Sequence, residues 1–114
     1  EKALNNFIFE NLSEIGLSSD LLDKKVSLLS GGQKRKLELL LLSMDQSDAV
    51  LLDEPFANLD ENSINQMISY IERKLLTDKI VIISSHSNIN FNANVQNLVL
   101  IGGVLKTKNN IGKG

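Results

Sequence analysis

The sequence predicts an α/β fold in which a parallel β-sheet carries helices on both faces. Residues 49–52 and 80–83 are short, continuous apolar runs, a pattern typical of strands buried on both faces of a parallel sheet. Between them, apolar residues recur at helical spacing: Ile64, Met67, Ile68, Ile71 and Leu75. Because no hairpin signal separates these elements, they predict a βαβ unit with parallel strands and a right-handed crossover.

Three helices are predicted before the first strand. Residues 4–15 have an amphipathic pattern, and Gly16 is suited to end that helix. Residues 20–23 suggest a short helix. Residues 33–44 predict a long helix whose leucines cover much of its surface, which implies deep burial.

The later elements are predicted from caps and glycines. The helix between the strands spans residues 62–75 and can be capped by Asp60 or Asn62. Residues 98–101 and 104–106 flank a Gly-Gly pair and predict a β-hairpin.

Composition excludes several classes of protein. The 114 residues are 42% hydrophobic with a net charge of -2, which is ordinary for a globular domain. With no cysteine and one histidine, the chain cannot build a disulfide framework or a multi-histidine centre, so any metal would be held mainly by oxygen. No apolar run approaches the roughly 20 residues of a membrane-spanning helix, and residues 1–4 lack the pattern of a signal peptide. We therefore expect either a cytoplasmic domain or a fragment of a longer protein.

Nucleic-acid binding is not expected. Aromatic residues make up 4% of the chain, and the net charge is close to neutral. The main basic cluster is Lys34, Arg35 and Lys36, which we interpret as a solvated helix face.

Ser30-Gly31-Gly32-Gln33 precedes the second long helix and has two interpretations. Serine followed three residues later by glutamine is a capping box, a purely structural start to a helix. Two successive glycines are unfavourable there, because each costs about 1 kcal/mol in a helix relative to alanine. Bare backbone at a helix N-terminus instead suits the close approach of an anion. We predict that the Ser30 hydroxyl and the next three amides bind a phosphate.

Asp53 and Glu54 follow the first predicted strand. They are either solvated acids or part of a ligand site, since ligands of open α/β sheets bind beyond the carboxyl ends of the strands. There Asp53 can hold Mg²⁺ directly or through water, and Glu54 can accept a proton from an attacking water. Pro55 would stiffen the chain just after them.

His86 and Asp60 have both structural and functional interpretations. His86 is either an exposed loop histidine or, because it follows the neighbouring strand, a donor to a terminal phosphate or an attacking water. Asp60 can cap the following helix and also take part in function.

Taken together, these motifs closely resemble those of ATP-binding cassette (ABC) proteins. Residues 29–33 resemble the signature, 53–55 the Walker B motif, 56–60 the D-loop and 85–86 the H-loop, in the family's order and spacing. The resemblance covers nearly the whole chain.

The resemblance implies the C-terminal half of a nucleotide-binding domain with a P-loop NTPase-like fold. Residues 1–28 would be part of the helical subdomain of the cassette. Residues 29–114 would be the C-terminal part of the ATPase core.

Cassettes of this family pair head to tail, so the signature of one completes the ATP site of the other. The resemblance therefore implies that Ser30, Gly31, Gly32 and Gln33 recognise the γ-phosphate of ATP held by a partner cassette. It also implies that Asp60 contacts the dimer interface.

The same resemblance gives the remaining residues roles at the chain's own site. Asp53 would be the Mg²⁺ ligand, directly or through water, and Glu54 the catalytic base. His86 would sense the γ-phosphate of the ATP.

Some family features are replaced or missing. The family often has Ala-Arg where this chain has Leu42-Ser43, and an acid where it has Ser87. The phosphate loop with its lysine, the Q-loop glutamine and the adenine-stacking aromatic would all precede Glu1. We therefore expect this chain alone neither to bind ATP tightly nor to hydrolyse it, and to expose apolar surface and strand edges.

Three functions remain open on sequence. The first is the ATPase subunit of an ABC transporter, which would pair with a second cassette and a transmembrane partner on the cytoplasmic face of a membrane. The second is the C-terminal lobe of a DNA-repair or chromosome-maintenance ATPase, against which Pro55 and the lack of sustained heptads count. The third is a truncated, non-catalytic cassette, against which the intact Glu54 and His86 count.

Overall fold

The computed structural model describes residues 2–107. The elements follow in the order α1 (Lys2–Glu14), 3₁₀ helices at Ser19–Asp23 and Val26–Leu28, α2 (Gly31–Met44), β1 (Ala49–Asp53), α3 (Glu61–Tyr70) with a π-helical extension (Ile71–Leu75), β2 (Ile80–Ser84), β3 (Leu98–Ile101) and β4 (Val104–Thr107). All the predicted helices and strands are present, and α2 begins two residues earlier than expected. The side chain of Leu4, the first apolar residue of the predicted α1 pattern, lies outside the described residues.

The two apolar runs form a parallel pair, as predicted. Strands β1 and β2 align so that Ala49 lies opposite Ile80 and Asp53 lies opposite Ser84. Strands β3 and β4 form a separate antiparallel hairpin. Its turn contains Gly102 with a φ of 57°, a left-handed conformation that favours glycine.

Only one face of the parallel pair is covered. Val50 and Leu52 are buried against the helices, whereas Leu51, Ile80 and Ile82 on the other face are 69%, 65% and 56% exposed. The prediction that these strands are buried on both faces is therefore wrong for the described chain. The helices of residues 2–107 pack on one side of the sheet, which leaves the expected apolar surface uncovered.

The three long helices share one hydrophobic core with β1. The most deeply buried side chains are Leu12, Ile15, Leu39, Leu40, Met67, Tyr70, Ile71 and Leu75. Helix α2 is less completely buried than its leucine content predicts, because Leu41 points to solvent and is 55% exposed.

The end of α1 shows why Gly16 is needed. Its φ of 82° is left-handed, and the turn is closed by a bond from the Leu17 N–H to the Leu12 carbonyl at 2.7 Å. A Cβ at Gly16 would also overlap the side chain of Gln66. Gly16 therefore ends the helix, as predicted.

A buried polar network joins the three helices. The Tyr70 hydroxyl donates to Asn11 Oδ1 at 2.8 Å and lies 2.9 Å from Ser43 Oγ, while Asn11 Nδ2 donates to the Phe7 carbonyl at 2.7 Å. Burial raises the pKa of Tyr70 above its usual value, because the phenolate would lose its hydration. Ser43, where the sequence departs from the family pattern, thus contributes a hydroxyl to this network.

The basic cluster on α2 is not the solvated face that we predicted. Lys36 is buried and donates from Nζ to Gln66 Oε1 at 2.5 Å. Arg35 is also partly buried, and its Nη1 donates to the Glu54 carbonyl. Both side chains extend toward neighbouring elements, where Lys36 donates to the Gln66 side chain and Arg35 to the Glu54 carbonyl.

None of the helices in the described part of the chain is both long enough and apolar enough to cross a membrane.

Candidate functional site

The carboxyl ends of β1 and β2 bring polar side chains together at one edge of the sheet. Asp53 is the last residue of β1, and its register partner is Ser84 at the end of β2. The Ser84 hydroxyl donates to Asp53 Oδ1 at 2.5 Å. This bond fixes one carboxylate oxygen of Asp53, while the side chain stays open to solvent.

The backbone of Glu54 is held on both sides. Its φ of 47° is left-handed, which is uncommon for a residue other than glycine. The Glu54 N–H donates to the Ser84 carbonyl at 2.9 Å. The Glu54 carbonyl accepts from Arg35 Nη1 at 2.5 Å and from the Ala57 N–H at 3.4 Å.

The carboxylate of Glu54 contacts His86. The backbone N–H of His86 donates to Glu54 Oε1 at 3.0 Å, and the imidazole Nε2 lies 3.3 Å from the same oxygen. The Glu54 side chain is about one-third exposed, at 32%, whereas the imidazole is 97% exposed. The structure therefore places the predicted residues Asp53, Glu54 and His86 at one edge of the sheet.

The oxygen atoms at this edge suit a hard divalent cation. No cluster of three or more acidic, histidine or cysteine side chains that could hold a metal occurs within residues 2–107. Mg²⁺, however, is usually held by one or two carboxylates together with water and substrate phosphates. The exposed carboxylate of Asp53 fits that mode of binding.

The signature residues form the capping box at the start of α2. Ser30 Oγ accepts from the Gln33 N–H at 3.1 Å, and Gln33 Oε1 accepts from the Ser30 N–H at 2.9 Å. A Cβ at Gly31 would meet nothing within 4 Å, and one at Gly32 would make an ordinary contact of 3.5 Å with Leu59. Packing within the described chain therefore does not require either glycine.

Asp60 caps α3, as predicted. Its Oδ2 accepts from the Ser63 N–H at 3.2 Å. Hydrogen bonding from Ser63 holds the pKa of Asp60 below its usual value, and the charge of Lys36 adds to this effect.

The signature and the acidic edge, which we define as Asp53, Glu54 and His86 at the carboxyl ends of β1 and β2, are separate clusters. Among the described residues, no hydrogen bond joins Ser30 or Gln33 to Asp53, Glu54 or His86. A bond from Arg35 Nη1, in the second turn of α2, to the Glu54 carbonyl ties this helix to the residue after β1.

A groove of about 160 Å³ lies beside Asp53, between α2 and β1. Arg35, Leu42 and Leu51 are among its lining residues. This groove is smaller than the roughly 300–1,000 Å³ of typical small-molecule sites. It therefore does not enclose a nucleotide.

Sequence reasoning missed two residues of this site. Ser84 could have been found, because it falls opposite Asp53 once the two strands are aligned in parallel. Arg35 carries no such signal, since its contact with Glu54 depends on how α2 packs beside the turn after β1.

Comparison with known proteins identifies the family of this chain. A family model described as ABC transporter matches residues 2–57. The energy-coupling factor transporter ATP-binding protein EcfA2 of Staphylococcus epidermidis is 36% identical over 87 residues, which cover 75% of this chain and 30% of that protein. The chain belongs to the ATP-binding cassette family. It is related to nucleotide-binding domains of ABC ATPases, and it spans less than a third of the length of EcfA2.

Solved structures confirm the fold of this cassette chain. A Pyrococcus furiosus protein described as an ABC transporter (ATP-binding protein) matches with a TM-score of 0.66 and 29% identity, covering 76% of this chain and 42% of that one. A structure from work on SMC ATPases matches with a TM-score of 0.60, covering 86% of this chain and 77% of that one. Its identity of 14% makes it a likeness of fold alone. The predicted P-loop NTPase-like α/β fold is therefore confirmed.

Proposed function

We propose that this cassette chain is part of the ATP-hydrolysing subunit of an ABC transporter. The observation that carries the proposal is the contact between the Glu54 carboxylate and His86, beside Asp53 at the carboxyl edge of two parallel strands. An acid and an imidazole from adjacent strands are the groups needed to orient and deprotonate a water beside a terminal phosphate.

Glu54 is proposed as the general base. Its Oε1 takes both contacts from His86, and within residues 2–107 no hydrogen bond reaches Oε2. The second oxygen is thus available to accept a proton from water. The almost fully exposed imidazole of His86 is proposed to donate to a γ-phosphate.

Asp53 is proposed to hold Mg²⁺, directly or through water. The bound ion would neutralise charge on the phosphates of the substrate ATP. Ser84 keeps one oxygen of Asp53 oriented by its hydrogen bond, which leaves the other oxygen for a ligand or a water.

Ser30, Gly31, Gly32 and Gln33 are proposed to bind the γ-phosphate of ATP held by a second cassette. Support comes from the two glycines, which packing within the chain does not explain. At the start of a helix of 14 residues, their amides lie at the positive end of the helix dipole. Asp60, exposed at the start of α3, is proposed to contact that second cassette.

The transport role rests on the relatives. EcfA2 is named as a transporter ATP-binding protein, and the Pyrococcus furiosus protein is described in similar terms. By analogy we propose a homo- or heterodimer of cassettes bound to a transmembrane partner, on the cytoplasmic face of a membrane. The SMC likeness does not favour the chromosome-maintenance alternative, because it is a likeness of fold alone.

We also propose that these 114 residues alone neither bind ATP tightly nor hydrolyse it. The sequence contains no glycine-rich loop ending in lysine and serine or threonine, and that loop supplies much of the phosphate contact in P-loop enzymes. Titration calorimetry with Mg-ATP on the 114-residue chain should give no binding in the micromolar range. A micromolar dissociation constant would contradict this.

The main test is Glu54→Gln in the complete protein. Loss of the base should lower ATP turnover by about 10²-fold or more, while ATP binding is kept and the ATP-bound dimer accumulates in size-exclusion chromatography. Glu61→Gln is the matched control, because Glu61 is an exposed acid in the first turn of α3. Unchanged turnover in the Glu54 variant would remove this residue from the proposed role.

A further inference from the structure

We propose that Arg35 is a positioning residue that links the signature at the start of α2 to the catalytic Glu54. This inference rests on the proposed ATPase function. Its starting point is the bond from Arg35 Nη1 to the Glu54 carbonyl at 2.5 Å, between residues 19 apart in the sequence. The helix that the signature begins is therefore tied to the backbone of Glu54 by the Arg35 side chain.

The backbone conformation of Glu54 is one that requires stabilising contacts. Its left-handed φ of 47° is one that side chains other than glycine rarely adopt, and Asn58 in the same turn has a φ of 61°. Within the turn, the Glu54 carbonyl accepts only a long bond of 3.4 Å from the Ala57 N–H. The guanidinium supplies a shorter, charge-assisted bond to the same oxygen, and such bonds are the stronger kind.

Arg35 belongs to the helix that the signature begins. It lies in α2 five residues after the Ser30 cap, and its side chain is partly buried. A displacement of the first turns of α2 when a phosphate binds would therefore move the guanidinium and, with it, the Glu54 carbonyl. The Glu54 carboxylate belongs to the same residue and is held by the His86 N–H, so its position depends on this backbone conformation.

Lys34 provides a matched control on the same helix. It carries the same charge and is also partly buried, yet its side chain makes no hydrogen bond or ion pair with the described residues. A general effect of positive charge on α2 would appear in both variants, whereas the link to Glu54 belongs to Arg35 alone.

The experiment compares Arg35→Ala, Arg35→Lys and Lys34→Ala in the complete protein. We expect Arg35→Ala to lower kcat by at least about tenfold, as supporting residues of a site typically do, with the KM for ATP within twofold of wild type. Arg35→Lys should have a kcat between those of Arg35→Ala and wild type, because its ammonium group keeps a charged donor near the Glu54 carbonyl. Lys34→Ala should leave kcat and KM unchanged.

A second readout does not depend on activity. In the nucleotide-free protein, Arg35→Ala should speed amide hydrogen exchange in residues 54–59 while residues 80–84 keep wild-type protection. A merely structural role would instead lower protection in both regions together and would leave kcat per folded molecule unchanged.

The outcomes separate this inference from the proposed function. If Glu54→Gln abolishes turnover but Arg35→Ala keeps kcat within twofold, the link is wrong and the ATPase assignment stands. An equal loss in Lys34→Ala would also overturn the link. If Glu54→Gln itself leaves turnover unchanged, the proposed function fails and the inference fails with it.

Discussion

The backbone N–H of His86 donates to Glu54 Oε1 at 3.0 Å and so joins the segment after β2 to the residue after β1. Because the donor is the main chain, this bond does not depend on the histidine side chain. The imidazole adds a separate contact, with Nε2 at 3.3 Å from the same oxygen. The structure therefore separates what holds Glu54 in place from what the imidazole itself does.

Substituting His86 by alanine should exploit that separation. The imidazole is 97% exposed, so the change should alter the free energy of unfolding by no more than about 0.5 kcal/mol, as exposed substitutions usually do. Turnover in the complete protein should nevertheless fall, by about 10²-fold if the imidazole orients water or phosphate. Steady-state ATPase assays beside urea denaturation would test both parts. A large loss of stability would mean that the side chain has a structural role.

Gly31→Ala should separate folding from function at the signature. A Cβ there would meet nothing within 4 Å, and Gly31 is not among the glycines with positive φ, so alanine should stabilise the 114-residue chain by about 0.4–1 kcal/mol. In the complete protein the same methyl group would obstruct a phosphate, and ATP turnover should fall sharply.

Urea denaturation and ATPase assays are the measurements for this variant. Gly16→Ala is the contrasting control, because its positive φ alone should cost about 1–2 kcal/mol. Wild-type turnover in Gly31→Ala would argue that the glycine is not needed for an approaching ligand.

The acidic edge was predictable because it follows from strand register. Two apolar runs joined by a helix imply parallel strands, whose carboxyl ends meet at one edge of the sheet. Because Glu54 and His86 follow these two strands, the sequence predicts that they lie close together. The Gly102 hairpin and the end of α1 at Gly16 were predictable for a similar reason, since positive φ is strongly associated with glycine.

Other features depend on packing that the sequence does not encode locally. The apolar run at β1 does not indicate whether other elements cover both faces of the strand, and Leu51 on one face is exposed. A lysine and an arginine on a helix are ordinarily solvated, yet Lys36 is buried against Gln66 and Arg35 reaches Glu54. Such contacts between distant residues are set by how the helices pack against each other and against the turn after β1.

The buried hydroxyl of Tyr70 makes the chain's stability sensitive to alkaline pH. Burial raises the pKa of the folded phenol above the unfolded value near 10.0. The folded state therefore holds its proton where the unfolded state has lost it. This contribution to stability is fully present below pH 10 and is lost as the pH rises through the folded pKa.

Tyr70 is the only tyrosine of the chain, which also lacks tryptophan, so phenolate absorbance reports this one group. The folded 114-residue chain should titrate at higher pH than the same chain unfolded in urea. Tyr70→Phe should lack this component of the pH dependence and, at neutral pH, cost about 1–3 kcal/mol, because the buried Asn11 Oδ1 loses its donor. Equal titration midpoints in the folded and unfolded chain would contradict the burial of the hydroxyl, because a solvated phenol would have the same pKa, near 10.0, in both states.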